Sequence, residues 1–166
     1  CFGSCGTGGD AIAFVIKYEN LSFAEAVTEL AEKYGVQLEA FKAPDASSDL
    51  RGRLLAIHRT AAEYYHYVLT KTSFGNKALE YLSSRGITEK IIKTFQLGYS
   101  PSSWDSFHQY AQKKHFAVHD LIEGGLCIRK QNGGVYDRFR GRIMFPLMDH
   151  RGNVVGFSGR ILTGES

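Results

Sequence analysis

Arginines occupy positions 138, 140 and 142, every second residue at the start of the stretch Val135–Leu162. In an extended strand, side chains two apart share a face. The spacing therefore predicts three guanidinium groups projecting together, with Phe139, Gly141 and Ile143 on the opposite face. An apolar run from Ile143 to Met148, a turn at residues 149–153 and a second apolar run from Val154 follow, and Arg160 lies in that second run. This is a β-hairpin pattern carrying a row of cations. Its chemistry is anion binding, since guanidinium pairs with phosphate or carboxylate oxygens, bidentately where geometry allows. The plainer alternative is a solvated edge strand that uses charge against aggregation. Tyr136 and Phe139 could stack on bases or pack as core and edge residues, and packing is the expectation. A second cluster, Cys1 and Cys5, lies in the glycine-rich stretch 1–10. Two thiols so close in a tight turn suit half of a tetrahedral zinc site, although the commonest knuckle has two intervening residues and this one has three. Unrelated thiols, a redox pair and a phosphate cradle at Gly6–Gly9 are the competing readings.

No HExxH, GxSxG or Walker lysine is present. Acidic residues lie singly, with Asp137 and Asp149 a whole strand apart, whereas a two-metal phosphoryl-transfer centre needs clustered carboxylates. Any such centre is expected beyond Ser166. The net charge is +3, yet residues 126–166 hold seven Lys/Arg against three Asp/Glu, and residues 1–125 hold thirteen against fourteen. Excess positive charge gathered around one strand is the footprint of a nucleic-acid or nucleotide partner. No run approaches the length of a membrane span and no signal peptide opens the chain. A cytoplasmic protein is expected, and Cys1 in place of Met suggests a piece of a longer one. Three cysteines are too few for a disulfide framework, and Cys127 reads as a small core residue.

The elements that must position these groups are helices first and strands last. Asp10 caps a short helix carrying Ile12, Val15 and Ile16, which Asn20 ends. Ser22 and Glu25 form a capping box for a second helix, which Gly35 stops. Residues 1–40 are too few to bury a good core without a metal or a neighbour. Residues 41–48 read as a linker. A long helix runs from Asp49, with His58 and His66 expected as surface or boundary residues. Helices at Ser73–Ser84, after Thr88 to a stop at Gly98, after Ser102/Ser103 with Trp104, Phe107 and Ala111 inward, and at Val118–Glu123 complete the helical part. The period then changes to two, with a hairpin pairing Leu126–Arg129 and Val135–Arg142. This is an α+β fold with a small antiparallel or mixed sheet, the domain proper spanning 49–166.

Three segments resemble the bacterial DnaG-type DNA primases. CFGSCGTGGDAIAFVIKYENLSFAEAVTELAEKYGV is similar to the end of their CHC2-type zinc-binding domain, ALEYLSSRGITEKIIKTFQLGYSP to the helical part of the catalytic core, and YDRFRGRIMFPLMDHRGNVVGFSGRIL to the basic motif that follows. The segments are collinear over nearly the whole chain. The resemblance implies a primase fragment, part of a nucleotidyltransferase that makes RNA primers for replication. Cys1 and Cys5 would be the last two zinc ligands, in a site left incomplete here. Arg138, Arg140, Arg142 and Arg160 would face single-stranded template and ribonucleoside triphosphates. The catalytic carboxylates and Mg²⁺ would belong to a Toprim part not included, and the replicative helicase would dock at a region absent here. A self-contained nucleic-acid-binding module without catalysis is the alternative.

Overall fold

The computed structural model describes residues 8–38, 46–131 and 133–162. Two compact units divide the chain, Cys1–Gly52 and Arg53–Ser166. In the first, helix α1 (Ala11–Glu19) starts where the Asp10 carboxylate accepts the Ala13 N–H at 2.8 Å, and ends at Asn20 in the left-handed conformation. Helix α2 (Phe23–Tyr34) opens on the capping box: Ser22 Oγ accepts the Glu25 N–H at 3.3 Å and the Glu25 carboxylate accepts the Ser22 N–H at 2.9 Å. Gly35, at φ 67°, closes it. Among the described residues only Leu21, Ala26 and Ala31 of this unit are buried hydrophobics, and α1 buries none. So small a core is what a short two-helix segment can make.

Helix α3 (Ala46–Lys71) contains the boundary between the units. A 3-10 turn (Ser73–Gly75) leads to α4 (Asn76–Ser84) and then to α5 (Glu89–Thr94), capped by Thr88. Next come β1 (Gly98–Ser100), α6 (Ser106–Lys113) and α7 (Val118–Glu123). The chain then forms β2 (Cys127–Arg129), β3 (Val135–Asp137), β4 (Arg142–Met148) and β5 (Val154–Ile161). Strands β1, β4 and β5 make one antiparallel sheet in that spatial order, and β2 and β3 make a separate antiparallel pair. The fold is α+β.

Both faces of the larger sheet carry hydrophobic core. Met144 packs in a cluster with Ile57, Tyr65, Phe107 and Leu121, while its neighbour Ile143 packs with Leu69, Leu82, Tyr99 and Leu162. Alternation along β4 sends the two side chains to opposite faces. Helix α3 feeds both clusters, through Ile57, Ala61 and Tyr65 on one and Val68 and Leu69 on the other.

Several local expectations change. Gly98 does not stop α5; Gln96 takes the left-handed position at φ 50°, and Gly98 belongs to β1. A Cβ there would stand 2.5 Å from Tyr65 Cβ, so glycine is what lets β1 lie against α3. Phe107 and Ala111 point inward as expected, but Trp104 precedes α6 and is 60% exposed. His58 is buried, its Nε2 donating to the Gly124 carbonyl at 2.8 Å, because a tertiary acceptor satisfies the ring. His66 is a boundary residue as expected, half-buried with its Nδ1 donating to Leu97 O at 2.8 Å.

Candidate nucleic-acid interface

The arginine row is broken by the backbone. Strand β3 ends at Asp137 and β4 begins at Arg142, and Gly141 between them has φ 59°, a left-handed conformation that takes the chain off the extended path. The period-two argument therefore fails across 138–142, and each arginine finds a different environment. Arg138 is exposed near Gly125, with its backbone N–H donated to Leu126 O at 2.9 Å. Arg142 is half-buried at the start of β4 and donates from Nη1 to Gly159 O at 3.3 Å. Arg160 lies opposite Ile143, and Arg142 opposite Ile161. Alternation thus puts Arg142 and Arg160 on opposite faces of the sheet.

Arg140 is the centre of a cluster that the spacing did not reveal. Its guanidinium carbon lies 4.3 Å from the Trp104 ring centroid and 5.1 Å from that of Tyr136. Trp104 and Tyr136 meet edge to face at 5.6 Å. Lys130 brings its Nζ to 5.5 Å from Trp104 and 5.7 Å from Tyr136. Two aromatic rings and two cations thus share one patch with Trp104 turned to solvent. Tyr136 packs at this edge, as expected; Phe139 packs against the Met144 cluster. Cation–π contacts of this kind hold a guanidinium in place, and the N–H groups of Arg140 other than the one given to the Asp137 carbonyl can meet an anion.

A second pair of cations sits against Tyr81 of α4. The Arg85 and Arg160 guanidinium carbons lie 5.4 and 5.8 Å from its ring centroid. Burial pushes the Tyr81 phenol upward, but hydrogen bonds and charge from Arg85 and Arg160 outweigh it and hold the group below its ordinary value. Among the described residues no carboxylate pairs with Arg85, Arg138, Arg140, Arg142 or Arg160. Arg85, Arg140, Arg142 and Arg160 are held by rings and carbonyls, so no described carboxylate neutralises their charge.

Beneath the Trp104 cluster lies Asp137, fully buried. Its carboxylate accepts the Phe107 N–H at 2.8 Å, the His108 N–H at 2.9 Å and the Ser106 hydroxyl at 3.4 Å, and the Cys127 thiol approaches at 3.9 Å. It therefore caps α6 from thirty residues away, where Ser102 or Ser103 was expected to act. Burial pushes the Asp137 carboxyl up, opposed by those hydrogen bonds. Burial, with the Asp137 charge beside it, pushes the Cys127 thiol up to about 12.

Trp104, Lys130, Arg85, Tyr81 and Asp137 were all missed as site residues. Trp104 is the one tryptophan of the chain, and Arg85 stands inside the YLSSRGI segment, but neither signal carries direction by itself. Cys1 and Cys5 lie outside the described residues. Thiolates are ligands zinc prefers, and a pair of them would make half of a tetrahedral shell.

Residues 64–166 match the model of the DNA primase catalytic core, N-terminal domain, and residues 1–45 match the CHC2 zinc finger, which implies a structural zinc. A DNA primase of Geobacillus stearothermophilus is 38% identical over 98% of this chain and 28% of its own length. The solved zinc-binding and RNA polymerase domains of the Aquifex aeolicus primase share 32% identity at a TM-score of 0.61, covering 98% of this chain and 38% of that one. A DnaG primase catalytic domain bound to single-stranded DNA shares 30% identity at a TM-score of 0.64, covering 72% and 38%. No helix among the described residues is long and apolar enough to cross a membrane. The chain spans under a third of the curated relative's length, and it belongs to the bacterial DnaG-type DNA primase family.

Proposed function

We propose that this chain holds single-stranded template and nucleotide phosphates for an RNA-primer-synthesising enzyme, and that the Trp104–Arg140–Tyr136–Lys130 patch is where the strand lies. The observation that carries this reading is an exposed indole framed by two unneutralised cations. Base stacking on the ring with cations at the flanking phosphates is how single strands are held without sequence readout. A relative of the same fold bound to single-stranded DNA adds support. Arg138 and Arg142 extend the basic surface, while Arg160 and Arg85 beside Tyr81 form a second phosphate site suited to a ribonucleoside triphosphate.

In this reading residues 1–40 are a zinc-binding domain in which Cys1 and Cys5 are two of the ligands, 41–48 a linker, and 49–166 the first part of the catalytic core. Phosphoryl transfer uses Mg²⁺ on carboxylates of a Toprim part of the enzyme. Such an ion would supply charge stabilisation for phosphoryl transfer, while the residues described here bind and orient. A cytoplasmic enzyme that meets the replicative helicase completes the proposal.

Titrating the chain into a dye-labelled oligothymidylate, with the label's anisotropy giving the affinity of every variant and Trp104 fluorescence followed in the parent, tests it. Binding should quench the emission, and Trp104→Ala should weaken affinity about 5- to 150-fold, the range for one stacked base. Arg140→Ala should also lower the salt slope by about 0.7, one phosphate contact on a single strand. Unchanged affinity and slope in both variants would sink the proposal.

A further inference from the structure

We infer that Asp137 is the positioning residue of the Trp104–Arg140–Tyr136 patch, holding the indole and the guanidinium in register through its backbone on one side and α6 through its carboxylate on the other. The inference rests on the proposed template site and names what builds it. Three elements meet there, and each is tied to this one residue. The backbone N–H of Asp137 donates to Trp104 O at 2.8 Å, so the segment carrying the indole is stitched to the end of β3. The carbonyl of Asp137 accepts from Arg140 Nη1, which folds that side chain back over the indole and away from extended solvent rotamers. The carboxylate takes the first-turn N–H groups of α6 at Phe107 and His108, two and three residues after Asp105. Helix α6 has no side-chain cap of its own at Asp105, so this anion at its N-terminus supplies the missing acceptor and meets the positive end of the helix dipole.

The geometry has a consequence for the loop. Residues 101–105 run from β1 to α6, and their two ends are both anchored on the β3–β4 connection. Gly141 N–H donates to Pro101 O at 3.1 Å at one end, and Asp137 N–H donates to Trp104 O at the other. Remove the carboxylate, and the buried N–H of Phe107 and the part-buried N–H of His108 lose their acceptor. Helix α6 must then shift or fray to find others. Trp104, two residues before α6, shifts with it, and Arg140 loses the ring it lies on. Asp137 itself faces inward and is fully buried, so it cannot touch the nucleic acid and acts only through the others.

Asp137→Ala removes both acceptor oxygens, while Asp137→Asn keeps one in the same place and serves where the alanine variant does not fold. Both are to be compared with the parent chain at low temperature, with far-UV circular dichroism confirming native helix content. Without nucleic acid, Trp104 emission should shift and its anisotropy fall, the change being smaller for Asn than for Ala. Affinity for an oligothymidylate should drop about tenfold in the alanine variant, with partial rescue by Asn, and the salt slope should fall by about 0.7 as the Arg140 contact is lost. A lower melting temperature with Trp104 emission, affinity and salt slope all unchanged would overturn the inference, leaving Asp137 as a stabiliser of α6 alone. The template reading fails separately. If Trp104→Ala binds like the parent while Asp137→Asn still loosens the indole in the absence of DNA, Asp137 positions the patch but the strand lies elsewhere.

Discussion

Raising the pH should loosen the second unit through one buried thiol, and Cys127→Ala should remove that sensitivity. Cys127 is 1% exposed on β2, with its sulfur 3.9 Å from an Asp137 oxygen. Burial and that neighbouring charge both oppose the thiolate and push the group up to about 12, against roughly 8.5 in an unfolded chain. The folded state therefore keeps a proton that the unfolded state releases. Stability from this group is complete below about pH 8.5 and is lost as pH rises from there toward 12. The slope is about 1.4 kcal/mol per pH unit, which gives a loss of roughly 2 kcal/mol between pH 8 and pH 10. That is a sizeable part of the 5–15 kcal/mol typical of a domain. Tyr65, whose phenol burial pushes well above its ordinary value, adds a loss of the same sign only at higher pH. Alanine at 127 leaves a small void costing about 1 kcal/mol at any pH. Urea unfolding followed by circular dichroism at pH 7 and pH 10 should thus show a crossing, with the variant about 1 kcal/mol weaker at pH 7 and about 1 kcal/mol stronger at pH 10. Parallel pH profiles for the two proteins would refute the argument, since they would mean that the thiol ionises as easily folded as unfolded.

Two further outcomes follow from packing and ring chemistry. Gly98→Ala should cost about 1–3 kcal/mol in urea unfolding, because the added methyl would stand 2.5 Å from Tyr65 Cβ and 2.7 Å from the Tyr65 carbonyl carbon, neither of which can swing aside. Arg140→Lys should weaken oligothymidylate binding about three- to tenfold with the salt slope unchanged, since the charge stays but the flat guanidinium that lies on Trp104 is lost; equal affinity would show that only the charge matters.

The parts of this fold legible in the sequence are those fixed by neighbours a few residues away. Asp10 and Ala13, Ser22 and Glu25, Thr88 and Ile91 are all caps spanning three residues, and each forms as its residue types predict. The turn at residues 149–153 is similar, with the Asp149 carboxylate accepting N–H groups from Arg151 and Asn153 at 2.9 and 2.8 Å. The candidate site was less legible because its contacts are distant in sequence. Asp137 caps a helix that begins about thirty residues earlier, and Trp104 turns outward because Arg140 and Tyr136 give it a surface to lie against. Periodicity also assumes a continuous strand, and the left-handed backbone at Gly141 ends that assumption between Asp137 and Arg142.

The broken row changes what the positive charge can do. The start of β4 carries core on both faces, so the arginines of the sheet stand at strand ends and edges. Arg142 opens β4, and Arg160 is the next-to-last residue of β5, the edge strand of the β1-β4-β5 order. In register they are one step apart, yet alternation sends them to opposite faces. Arg140 has left the sheet altogether to lie on Trp104. A single continuous strand of nucleic acid would have to round the end of the sheet to touch Arg142 and Arg160 together. Two ligands, a template strand on the indole and a nucleotide's phosphates beside Tyr81, meet the same cations without that bend. In the proposed reading, the positive surplus counted in the last quarter of the chain serves two separate phosphate sites, with the sheet end as the wall between them.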